Sequence, residues 1–181
     1  MGAPPDGLVV RRVRPDEWRL VRDLRLEATA DPDAAIAFLE LHDDVAARPH
    51  EFWRERTETA AESETVAQFV ADVEGTSVGS LSVIIRATGQ RDHLGRIMDD
   101  RRAFVVGVYV RPDQRGSGAV DALLGAAAGF ATAQGLDRLI LDVHQDNHRA
   151  QGAYRRAGFM PTGETMVGPI GPELVMARPL P

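Results

Sequence analysis

Apolar and polar positions change rhythm several times along the chain. Leu8 to Val13 alternates loosely and predicts a short first strand. Pro15-Asp-Glu then opens a helix, because Pro needs no N–H partner in the first turn and acids there suit the helix dipole. Trp18, Val21, Leu24 and Leu26 or Ala28 keep helical spacing to about residue 30, where Asp31-Pro-Asp breaks it. Ala34 to Glu64 reads as one or two further helices interrupted near Arg48-Pro49, with Phe52, Trp53 and Arg56 as packing residues. After Ser63 the period drops to two: Thr65 to Val73 and Val78 to Arg86 form an antiparallel hairpin around Glu74-Gly-Thr. Gly89 to Arg102 is a polar excursion. Phe104 to Val110 is continuously apolar, as in a strand buried on both faces.

Gly116 to Gln134 then predicts a helix of small residues, with Val120, Leu123, Leu124, Ala127 and Ala131 on one face and Gly135 as its stop. Leu139 to His144 is the next buried strand, His148 to Ala157 a short helix, and Glu173 to Arg178 a last strand after Gly-Pro turns. A strand, helix and strand with short links imply a right-handed crossover between parallel strands. The order predicts an α/β fold: one domain over residues 1–181 with a mixed central sheet flanked by helices.

Composition narrows the chemistry mainly by what is missing. The chain has 181 residues and no Cys, which removes disulfides, thiolate metal sites and a Cys nucleophile. All 21 basic residues are Arg, so a Walker-type phosphate loop and Schiff-base chemistry are excluded as well. With acyl-cysteine and imine intermediates removed, direct transfer between two bound substrates is the default. The net charge of −6 is concentrated early, with 14 acidic residues against 7 Arg from Arg14 to Glu64. An acidic chain without a basic stripe is not a nucleic-acid binder. No apolar run reaches the roughly 20 residues a membrane span needs. Met1 to Gly7 reads as neither an export signal nor a lipidation site, since Asp6 stands where the latter needs Ser or Thr. A cytoplasmic location is the expectation.

The segment Val108-Tyr-Val-Arg-Pro-Asp-Gln-Arg-Gly-Ser-Gly-Ala-Val carries the strongest chemical signal. A buried strand there leads through a Gly-containing loop into a helix, whose free N–H groups can hold a phosphate. Gly116 and Gly118 leave room for an anion near the backbone, and Arg115 offers a planar fork of donors. A dinucleotide fingerprint is disfavoured because Asp121 occupies its third Gly position.

The loop resembles that of the GNAT superfamily of acetyltransferases, Gln/Arg-Xaa-Xaa-Gly-Xaa-Gly/Ala, with Arg115, Gly118 and Val120 on its fixed places. Val120 departs from the small residue expected. Asn147, Ala150, Tyr154 and Gly158-Phe159 match the family's second segment. The resemblance implies a GNAT fold, its mixed sheet splayed between the two parallel strands. Residues 14–64 would be substrate-side helices and 103–159 the acetyl-CoA-binding core. It implies contacts to acetyl-CoA, as acyl donor, from the backbone of Val108, Tyr109 and Val110. Arg115, Gly116, Ser117, Gly118, Ala119, Val120 and Asn147 would complete the site.

The implied reaction is N-acetyl transfer to an amine of a small molecule or a peptide N-terminus, without a metal. His144 and His148 do not share a helical face and are discounted as a metal pair. In the family a Tyr at the place of Tyr154 donates its proton to the departing thiolate. Asp142 lies where ribosomal-protein alanine acetyltransferases carry a catalytic Glu, and is the first candidate base. His144 is second, Glu27 third, and a water relay is also open. Asn147 could additionally cap the helix that follows it. The early concentration of acid suggests a cationic amine as acceptor. A non-catalytic acyl-CoA-binding module is the rival reading, and a homodimer through the sheet edge or late strands is suggested by analogy.

Overall fold

A computed structural model describes residues 7–181. The segment before Gly7, read above for export and lipidation signals, lies outside them. The elements run β1 (Leu8–Arg12), α1 (Trp18–Thr29), a 3-10 turn (Ala34–Ile36), α2 (His42–Ala47), α3 (His50–Glu62), β2 (Val66–Val73), β3 (Thr76–Arg86) and β4 (Arg102–Val110). A second 3-10 turn (Pro112–Gln114) precedes α4 (Ala119–Ala133), β5 (Arg138–His144), α5 (His148–Arg156), β6 (Met160–Gly168) and β7 (Gly171–Pro179). The strands form one sheet in the order β1-β2-β3-β4-β5-β7-β6. All neighbours are antiparallel except β4 and β5.

Alternation along the strands sends side chains to two separate cores. Leu139, Leu141 and Val143 of β5 join Val83, Ile85 and Val105 beneath Leu123, Leu124, Ala127 and Ala131 of α4. On the opposite side, Val13 and Val70 pack with Trp18, Val21 and Leu24 of α1 and Trp53 of α3. Met98 from the excursion after β3 covers Phe104, Ile140 and Val175. The polar excursion is therefore a packed cover and not a loose loop.

Two features depart from the sequence reading. First, α4 begins at Ala119 and not at Gly116, because Gly118 has φ 91° and stands as its N-cap. Helical φ is negative, so the helix can start only after it. The break expected near Arg48-Pro49, by contrast, is present: α2 and α3 are separate helices joined there, both flanking residues being extended. Second, β6 was not foreseen. It is an edge strand, mostly exposed, containing Pro161 and Gly163, and its pairing slips between Pro161 and Thr165. An exposed edge buries no apolar row and so gives no alternation to read.

The sheet opens where the parallel strands should run on together. β4 and β5 are in register only at Ala103 with Leu139 and Phe104 with Ile140. Beyond that, β4 stays on β3 but acquires a bulge. Ser82 faces Val106 and Ser80 faces Tyr109, so β4 carries one residue more. Gly107, with φ 64°, takes the left-handed turn the bulge requires. Phe104 holds the last paired position and is 2% exposed. We predict that Phe104→Ala lowers stability by about 3–5 kcal/mol in urea unfolding. A loss under about 1 kcal/mol would mean the split is not braced at this ring.

Candidate active site

The loop before α4 is closed by short local bonds. Ser117 Oγ donates to the Gln114 carbonyl at 2.7 Å, and the Ala122 N–H donates to the Gly118 carbonyl at 3.0 Å. Gly116 has φ 81°. Among the described residues, no acceptor takes the N–H groups of Gly118, Ala119, Val120 or Asp121. Those donors and the positive end of α4 make a cradle suited to a pyrophosphate. Val120 leaves it intact, because its side chain packs on the α4-side core while its N–H stays free.

Arg115 is less available than the sequence suggested. Its Nε donates to the Val110 carbonyl at 3.2 Å, and Nη2 is bonded to the buried carboxylate of Asp31. It braces the end of β4 against the end of α1. Asn147 has a similar double duty. Its Oδ1 accepts the Ala150 N–H at 3.1 Å, which is the cap expected, and its Nδ2 points to the Ile36 carbonyl at 3.5 Å.

The split between β4 and β5 opens into a cavity of about 330 Å3. Val108, Tyr109, Val110, Val120, Asn147 and Tyr154 line it with Asp142, His144 and Glu173. Tyr154 packs in the α4-side core with its ring 6.2 Å from that of Phe159. Burial pushes its pKa up to about 12, so the phenol keeps its proton at neutral pH.

Asp142 is ion-paired. Arg96 donates to it from both terminal nitrogens, at 2.9 and 2.6 Å, and His93 Nε2 lies 3.3 Å away. Burial alone would raise its pKa, but His93 and then Arg96 outweigh that and hold it below the usual range. A carboxylate so stabilised is a poor proton acceptor, and its evident work is to pin the excursion through Arg96. The base expected at Asp142 is therefore better sought elsewhere. His144 is buried and accepts the Asp146 N–H on Nδ1 at 3.1 Å, so the neutral ring carries its proton on Nε2. Glu27 forms a two-pronged pair with Arg111, both contacts at 2.7 Å, and does not line the cavity.

Sequence reasoning missed Glu173. It sits on β7 directly beside His144 of β5 and is 4% exposed. Its Oε2 is buried without a hydrogen-bond partner. Burial, then the charge of Asp142, raises its pKa. The β6–β7 turn is shaped around this pair. A Cβ at Gly168 would lie 2.9 Å from Glu173 Oε2, and one at Gly171 2.7 Å from His144 Nε2. The Gly168-Pro-Ile-Gly171 spacing ahead of a carboxylate was the available signal.

The acids of the N-terminal half that line the cavity are likewise consumed. Asp31 pairs with Arg115, Asp33 with Arg149, and Glu40 with Arg25 and Arg48. They present no free acidic wall, which removes the reason for expecting a cationic acceptor.

Residues 21–159 match the model of the acetyltransferase (GNAT) family. The chain belongs to that family. An aminoglycoside N(6')-acetyltransferase type 1 from Stenotrophomonas maltophilia is 27% identical over 133 residues, covering 74% of this chain and 84% of that one. A GNAT acetyltransferase from Streptococcus pneumoniae shares the fold with a TM-score of 0.72 at 20% identity, covering 96% and 99% of the two chains. The PaiA N-acetyltransferase of Thermoplasma acidophilum, solved with coenzyme A, superposes with a TM-score of 0.71 at 15% identity over 95% and 98%. The acetyltransferase thus has the predicted GNAT fold, and membership favours an enzyme over the non-catalytic module. Among the described residues no helix is long and apolar enough to cross a membrane.

The cradle gives a direct test. Gly118→Val puts a branched side chain at a left-handed φ and crowds the free N–H groups. Its Kd for acetyl-CoA, by calorimetry, should rise about tenfold or more, a loss of about 1–2 kcal/mol. An unchanged Kd would exclude this loop as the phosphate site.

Proposed function

We propose that the acetyltransferase moves the acetyl group of acetyl-CoA directly to a primary amine of a small molecule or peptide N-terminus. The observation that carries the reading is the continuity of one cavity. It joins the opened strand β4 to a protonated buried phenol and to an unpartnered buried carboxylate. In this reading the cradle from Gly116 to Asp121 receives the pyrophosphate. The free side of β4 from Val108 to Val110 holds the pantetheine arm by strand-like hydrogen bonds. The residues fit the group, because among the described residues no acceptor takes the N–H groups from Gly118 to Asp121, and β4 pairs with β5 only at Ala103 and Phe104.

The neutral amine nitrogen attacks the thioester carbon and the carbon–sulfur bond breaks, so one proton must leave the nitrogen and one must reach the sulfur. Tyr154 gives its phenolic proton to the departing thiolate sulfur. Glu173 takes the proton lost by the amine, directly or through one water. Asp142 positions the cover over this end through Arg96 and is not asked to move a proton. The donor and the lack of Cys suit a cytoplasmic setting.

Tyr154→Phe should retain acetyl-CoA binding while kcat falls about 100-fold, within the usual range for a lost general acid. Glu173→Gln should lower kcat/KM by a similar factor. A base works when deprotonated, and the Glu173 pKa is raised, so the parent rate should climb with pH above the ordinary Glu range. That limb should vanish in Glu173→Gln. A parent-like pH profile in this variant would return the base to Asp142 or to solvent.

A further inference from the structure

The cavity has two chemically different ends. One holds Glu173, Asp142 and His144. The other runs under α3 and α1, where Arg25, Glu40, Arg56, Gln68, Ser80 and Ser82 face the same space. Arg25 spends Nε and one terminal nitrogen on Glu40, which Arg48 shares at 3.1 Å. Its other terminal nitrogen lies 3.3 Å from the position a Cβ would take at Gly107, over the β4 bulge. Arg56 is half-buried, and among the described residues no carboxylate comes within ion-pair distance of it. Burial, then the charge of Arg25, lowers its pKa, as for a cation awaiting an anion. Gln68 is 6% exposed, and its Oε1 is buried without a partner. Of the two polar groups of that amide only the NH2 can donate to an anion.

Two guanidinium groups, those of Arg25 and Arg48, thus share one carboxylate at this end, while among the described residues that of Arg56 has none and faces the same space as the Gln68 amide. A buried cation without a partner costs stability unless a ligand supplies the opposite charge. We propose that the acceptor is an amine that also bears an oxyanion, a carboxylate or a phosphoryl group, bound at Arg56 and Gln68 while its nitrogen faces Glu173. This rests on the acetyl-transfer reading and gives it a substrate class. Ser82, which lines both this cavity and a neighbouring one beneath α3, offers a further donor to the same group. The two ends then hold opposite charges of one substrate, which fixes its orientation across the split.

The test is CoA release from acetyl-CoA across matched acceptors. Free amino acids are set against their carboxamides, 2-aminoethylphosphonate against ethanolamine, and spermidine stands alone. The oxyanion member of a pair should show kcat/KM about 10- to 100-fold higher, the worth of a charge-assisted contact. The better of the amino acid and phosphonate arms tells which oxyanion is meant. Arg56→Gln should shrink the preference toward parity, and Arg56→Lys should restore part of it. The proposal is overturned if amides or spermidine are preferred, if no oxyanion-bearing amine is consumed, or if folded Arg56→Gln keeps the full preference. Should Arg56→Gln not fold, Arg56→Lys and the parent's own ratio still decide. Turnover of spermidine alone would leave acetyl transfer standing, whereas failure to bind acetyl-CoA in calorimetry would sink the reading beneath it.

Discussion

Everything at this site follows from one constraint on backbone hydrogen bonding. Two parallel strands whose pairing ends at Phe104 and Ile140 cannot both continue straight and stay apart. The bulge at Gly107 and the twist it adds carry β4 away while β5 turns toward β7. From that point β4 has β3 on one side and no strand on the other. Backbone donors and acceptors left so must be met by something, since an unpaired buried peptide group costs about 1–3 kcal/mol. A linear amide-bearing arm is the chemical complement of such an edge, and the helix start at Gly118 completes it with an anion cradle.

The chain keeps this opening from collapsing by an unusual use of charge. With Arg as the only strong cation, its ion pairs are planar and often two-pronged. Arg111 with Glu27, Arg115 with Asp31 and Arg149 with Asp33 tie the N-terminal helices to the elements around the cradle. Arg96 with Asp142 ties the excursion down at the far end. The acidic excess of the first half is thus largely internal scaffolding where it meets the cavity. What it leaves over is a polarity: a carboxylate without a partner at Glu173 and a guanidinium without one at Arg56.

Much of the frame was legible because it is periodic or punctuated. The apolar run Phe104 to Val110, the small-residue face of α4 and the stop at Gly135 read correctly from spacing alone. The cap at Asn147 was legible from its place just before a helix, and Gly118 and Tyr154 stood out by their places in two motifs. The remainder depends on long-range pairing, which no local pattern encodes. Asp142 looked like a base because a carboxylate on a buried strand needs a reason, and Arg96, distant in sequence, supplies it. Glu173 was hidden by β6, whose exposed edge has no alternation, so its strand appeared without a hairpin. Arg56 passed for packing beside Phe52 and Trp53, since a helix face alone does not show what lies opposite.

In the proposed reading, the unpaired side of β4 and the start of α4 form one continuous binding edge for acetyl-CoA. Amide hydrogen exchange, compared with and without saturating acetyl-CoA, tests it most directly. Exchange should slow together across Val105 to Val110 and Gly116 to Asp121, with little change in β1 and β2. Protection confined to the α4 start, or found chiefly outside both segments, would contradict it.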